Sequence, residues 1–136
     1  MPYCTQADLV DRFGEAEILA LARDESGSAI DTAVVERACD DASGEIDGYV
    51  SAAGYTVPLS NVTRIITAYA CDIARYRLYD ELASEQVQKR YDDAVKFLVR
   101  VANGTVKLGI STGPASSSVG SAQMNSSRRV FSGGGF

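Results

Sequence analysis

Apolar residues recur along this chain with helical spacing in three long stretches, and the polar residues between them mark where each helix ends. From Ser60 to Leu82 the positions Val62, Ile65, Ile66, Tyr69, Ala70, Ile73 and Tyr76 follow the i, i+3, i+4, i+7 rule that places side chains on one helix face. From Glu85 to Asn103 the same rule is met by Val87, Tyr91, Ala94, Val95, Leu98, Val101 and Ala102. The break between them, Asp80 to Ser84, is short and polar. Ser84 is placed to accept from the free amides of the second helix, and Glu85 suits its positive end. So short a connection makes the two helices antiparallel neighbours. A helical hairpin is therefore expected at the centre of the fold.

Upstream, Thr5 followed by Asp8 is a variant of the capping pattern, in which the acidic side chain reaches back to the cap amide. It predicts a short helix, Gln6 to Phe13, stopped at Gly14, and a second from Glu15 to Ala22 carrying Ile18, Leu19 and Leu21. The polar run Arg23 to Ser28 reads as a surface loop. Asp31 caps the third long helix, which runs to Ala53 with Val34, Val35, Ala38, Ala42, Ile46, Tyr49, Val50 and Ala53 on one side. Gly44 and Gly48 inside it each cost about 1 kcal/mol relative to alanine, which suggests that a neighbouring helix approaches closely there. Pro58 forbids helix continuation and sets the reversal into the hairpin.

Gly104 ends the last helix, and the alternation of Val106, Leu108 and Ile110 suits a short strand. Residues 111–127 are rich in serine, glycine and alanine, the composition of a linker. The end, SSRRVFSGGGF, carries Arg128 and Arg129 before Val130 and Phe131, the make-up of an arm that docks on a partner. The expected class is mainly α: a small bundle of antiparallel helices over residues 1–104, then a short β segment and an extended C-terminal docking arm over 105–136.

A chain of 136 residues is one domain's worth and can bury a core without staples. Charge is distributed unevenly. All 18 acidic residues lie at or before Asp93, whereas three of the 13 basic ones, Lys107, Arg128 and Arg129, follow Gly104. The acidic body argues against an autonomous nucleic-acid binder, and it is complementary to the basic end of a neighbour. Cys4, Cys39 and Cys71 lack any CxxC or Cys/His pairing, so they read as packing residues of a reduced cytosol rather than zinc ligands or a disulfide framework. No signal peptide or membrane-spanning run is apparent, and no membrane role is expected.

Candidate chemistry is sparse. Glu36, Asp40 and Asp47 lie on the polar side of the third helix, where carboxylates bind a cation, act as acid and base, or form a solvated or partner-facing wall. No histidine, fourth ligand or glycine-rich loop converges on them, and the solvated, channel-facing or interface face is the expectation. Tyr69, Tyr76, Tyr79 and Tyr91 have core spacing rather than that of a base-stacking platform. With no phosphate-cradling loop and no GxSxG, neither catalysis nor a cofactor or metal is expected.

Several stretches are similar to the head–tail connector (adaptor) proteins of Mu-like tailed bacteriophages and prophages: YCTQADLVDRFGEAEI at the start, EIDGYVSAAGYTVPL in the middle, DIARYRLY and RYDDA in the hairpin, and the terminal Arg129, Val130, Phe131. None is a catalytic signature. The resemblance implies a helical subunit that assembles with itself, as a dodecameric ring, beneath the portal protein of a DNA-filled head. It further implies contacts with neck or stopper and tail-terminator proteins, duplex DNA passing through without sequence-specific binding, and a place at the head–tail junction of virions assembled in the host cytoplasm. Arg128, Arg129, Val130, Phe131 and Phe136 are then the docking residues of the arm, although Ser132 to Phe136, SGGGF, replaces the charged residues expected after the RVF segment. A rival of another class is a small acidic interaction module or regulator acting on a host protein.

Overall fold

The computed structural model describes residues 2–109. They form five α-helices: α1 (Gln6–Phe13), α2 (Glu15–Leu21), α3 (Thr32–Ala52), α4 (Arg64–Tyr79) and α5 (Glu85–Ala102), with one 3-10 turn, Asp80–Leu82, between the last two. The mainly helical class expected from periodicity is the class observed. α3, α4 and α5 pack mutually, while α1 and α2 cover the outside of the trio through contacts of α1 with α3 and α4.

Local chemistry sets each boundary. Thr5 and Asp8 form the reciprocal capping box: the Asp8 amide donates to Thr5 Oγ1 at 3.3 Å and the Thr5 amide donates to the Asp8 carboxylate at 3.0 Å. Gly14, at φ 94°, ends α1 in the left-handed region and opens directly into α2. Asp31 accepts from the Ala33 and Val34 amides to start α3, and Ser84 accepts from the Val87 amide to start α5. The Arg23–Ser28 stretch is a loop, closed by an isolated antiparallel bridge between Arg23 and Ile30 and tied through Asp24, which accepts from Ser26 Oγ and the Gly27 amide.

The core follows the apolar stripes. Val35, Ala42, Ile46 and Val50 from α3, Ile66, Ala70, Cys71, Ile73 and Ala74 from α4, and Ala94, Leu98 and Val101 from α5 are fully enclosed, joined by Leu9 and Ile18 from the N-terminal pair. Fully burying a side chain the size of Ile46 or Leu98 stabilises by about 1.5–3 kcal/mol. α4 packs against α3, α5 and α1, which explains why its buried residues cover more of its circumference than one stripe.

Four details differ from the sequence reading. α4 starts after Thr63, whose hydroxyl accepts from the Ile66 amide, rather than at Ser60; Val62 therefore precedes the cap. Val62 and Ile65 are exposed, at 38% and 43%, because the face toward α3 and α5 is set by Ile66, Ala70 and Ile73, and Ile65 sits a helical step of about 100° away. Gly44 and Gly48 have nothing within 4 Å of where a Cβ would stand, so no helix among the described residues approaches them closely. No strand occurs among the described residues: 105–109 has the alternating burial of a strand, with Leu108 inside and Lys107 outside, but no partner to form a ladder. Val106 instead donates its amide to the Arg100 carbonyl, and Leu108 donates to the Tyr55 hydroxyl at 3.0 Å, which fastens this stretch to the core.

Candidate functional site

Two polar networks and one cleft gather the residues with chemical potential. The first network lies on the seam of α3, α4 and α5. Glu45 of α3 accepts from Arg77 of α4 at 2.6 Å and from the Tyr91 hydroxyl of α5 at 2.9 Å, so one carboxylate ties three helices. Burial, reinforced by Glu45, pushes the Tyr91 phenol up to about 12. Tyr76 stacks on Tyr91 with centroids 4.0 Å apart, and Tyr69 on Phe97 at 4.6 Å, which gives those tyrosines the packing role their spacing predicts. Arg75 of α4 donates to Glu17 of α2 at 2.6 Å and lies 4.2 Å over the Phe13 ring. Asp72 faces Arg90 at 3.6 Å; burial raises its carboxyl above the usual range, and Arg90 offsets only part of that. The DIARYRLY and RYDDA motifs are therefore the pairing chemistry of the helices. On the outer face Lys89 pairs with Asp93 at 3.3 Å, whereas Asp92 accepts from Gln88.

The second network anchors the N-terminal segment. The Tyr3 hydroxyl donates to Asp47 of α3 and accepts from the Leu59 amide at 2.8 Å, while the Tyr3 amide donates to Ser43 Oγ at 2.8 Å. Burial first, and then Asp47, lifts the Tyr3 phenol to about 12. Asp47 is thus occupied by an internal hydrogen bond, and of the three carboxylates read from sequence only Glu36 and Asp40 stand exposed together.

Those two line a cleft of about 460 Å³ between α3 and the start of the chain. Pro2, Cys4, Ala7 and Cys39 give it an apolar lining, and the Glu36 and Asp40 carboxylates supply negative charge. Gln6 also lines it and carries a buried Oε1 without a hydrogen-bond partner among the described residues. Three further clefts each include a cationic side chain: Lys89 and Lys96 in one, Lys107 in another, Arg37 and Arg77 in the third.

Sequence spacing did not foretell that the three cysteines meet. Cys4, Cys39 and Cys71 are free and buried, and the Cys4 thiol contacts both others. Those thiol contacts, together with burial, hold the Cys4 proton above the ordinary range. Among the described residues no group of three or more Cys, Asp or Glu side chains is arranged to hold a metal ion, and no helix is long and apolar enough to cross a membrane. The docking residues Arg128, Arg129, Val130, Phe131 and Phe136 lie outside the described residues.

The fold and its networks define an all-helical body in which the polar residues nearest the helix seams serve cohesion between elements. Residues 3–126 match the model of the family described as Bacteriophage Mu, Gp36, and the chain belongs to that family. It is similar to gene product J of Escherichia phage Mu, 33% identical over 135 residues covering 97% of this chain and 95% of that protein. It is likewise similar to the Mu-like prophage FluMu protein gp36 of Haemophilus influenzae, 33% identical over 109 residues covering 80% of this chain and 77% of the relative. The chain is accordingly a protein of the Mu-like phage type.

Proposed function

We propose that this chain is a structural head–tail connector (adaptor) subunit. Twelve copies form a ring under the portal, join the head to the neck and tail proteins, and let duplex DNA pass. The observation that carries the reading is the apolar surface left outside the core of the described residues: Val57, Val62, Ile65 and Val99 are 37–43% exposed, and Leu82, in the turn between α4 and α5, is 85% exposed. Apolar side chains left outside a closed core are ready to be covered by a neighbour. Membership of the phage family supports the reading, and so does the charge pattern, since an acidic channel wall repels DNA phosphates and keeps the duplex from adhering during passage.

In this reading the body is inert, without catalysis or cofactor, and the C-terminal arm holds it in the assembly. Removing the residues after Gly120 leaves a folded body that no longer joins portal-bearing heads. Circular dichroism together with co-sedimentation on heads checks both halves. Truncated protein that still completes infectious particles contradicts the role of the arm. A stable one-to-one complex with a host protein, in place of a ring-sized assembly on portals, contradicts the connector reading as a whole.

A further inference from the structure

The cleft between α3 and the N-terminal segment differs in charge from the three other clefts just described. It combines two carboxylates with an apolar lining, and no lysine or arginine lines it. A ligand that satisfies it brings cationic N–H donors next to apolar side chains. Beyond residue 109 the chain contains one short segment of that composition, Arg128, Arg129, Val130 and Phe131. We propose that this cleft is the seat of the Arg128–Phe131 segment of a neighbouring copy of the chain.

The chemistry matches group for group. Glu36 and Asp40, four residues apart, stand about 6 Å from one another on the helix surface, and two guanidinium groups neutralise them. Val130 and Phe131 gain by covering the exposed Pro2 and Ala7 of the lining.

The choice of a neighbour over the chain's own cleft rests on the ring reading above, in which an adjacent copy is always at hand. The described chain ends at Gly109, fastened beside Tyr55 through Leu108, beyond the C-terminal end of α3; the cleft lies against the N-terminal half of the same helix. Asp40 and Ala52 are roughly 20 Å apart along that helix. The chain leaves the body beside Tyr55 and the cleft is a different surface, so their union between copies is a heterologous, head-to-tail contact, the kind that closes rings. Residues 110–127 reach at most roughly 60 Å, ample to cross to an adjacent copy.

The test uses the full-length chain carrying p-benzoylphenylalanine at position 131, mixed with an isotopically heavy full-length chain and irradiated over a concentration series. Light-to-heavy cross-links to residues 2–7 or 36–40 are expected, rising with concentration. Glu36→Lys with Asp40→Lys lowers their yield roughly tenfold, and adding Arg128→Glu with Arg129→Glu restores it. Cross-links confined to one chain, links to other surfaces, an absence of links, or insensitivity to the charge reversals each overturn the proposal. Binding to portal-bearing heads is read separately on the unlabelled chain, so a failed connector role and a failed cleft give different results.

Discussion

Tyr3 shows how much a single side chain holds in this molecule. Its ring is buried, its hydroxyl joins Asp47 of α3 to the Leu59 amide, and its amide uses Ser43. Tyr3→Phe leaves the Leu59 amide without an acceptor and is expected to cost about 1–3 kcal/mol, measured by urea denaturation. The same geometry fixes a pH dependence. The phenols of Tyr3 and Tyr91 ionise near 12 in the folded state against an ordinary 10.0. A raised folded value means that the stabilisation is fully present below pH 10.0 and is lost as the pH rises through about 12. Alkaline unfolding followed by tyrosinate absorbance should fall in that window, and Tyr91→Phe should make stability there less dependent on pH. A titration with both phenols ionising near 10.0 contradicts the networks. None of this was legible in the sequence, because Tyr3, Asp47 and Leu59 meet only when the chain folds back over long separations.

At the scale of the element, legibility followed the number of faces a helix buries. α5 buries one stripe against α3 and α4, and the residues enclosed on it, Val87, Ala94, Leu98 and Val101, are among those its periodicity named. α4 is covered by α1 as well as by α3 and α5, and the stripe through Val62 and Ile65 there was assigned to the wrong side of the cap and of the helix. At 105–109 alternation identified the buried side chains correctly, yet a ladder needs two segments and no partner for this one lies among the described residues. Glu45 joins three helices at once, so Glu45→Ala frees Arg77 and Tyr91 together and is expected to cost about 1–3 kcal/mol in a urea melt, more than Glu17→Ala, whose Arg75 partner keeps its contact with Phe13. Gly44 and Gly48 give a sharper case, since both have ordinary helical backbone and open space around them. Gly44→Ala and Gly48→Ala should each raise monomer stability by about 0.5–1 kcal/mol. If copies pack there in a ring, the same substitutions lower assembly on heads while raising the melting temperature of the isolated chain.

For the whole molecule, the split between an acidic body and a basic end was visible in the order of the residues, and so was the family resemblance that the comparisons bear out. The cleft was not, because it needs Gln6 and Cys4 from one end of the chain set against Glu36 and Asp40 from another. The meeting of three thiols was hidden for the same reason. In the connector role proposed above, the chain's charged residues divide between helix seams and surfaces offered to other copies and other phage proteins. The most direct test of that role is imaging of purified particles with the chain tagged at its N-terminus. Twelve copies in a ring at the junction beneath the head are the expected result, and particles that lack the chain at that junction contradict the central claim.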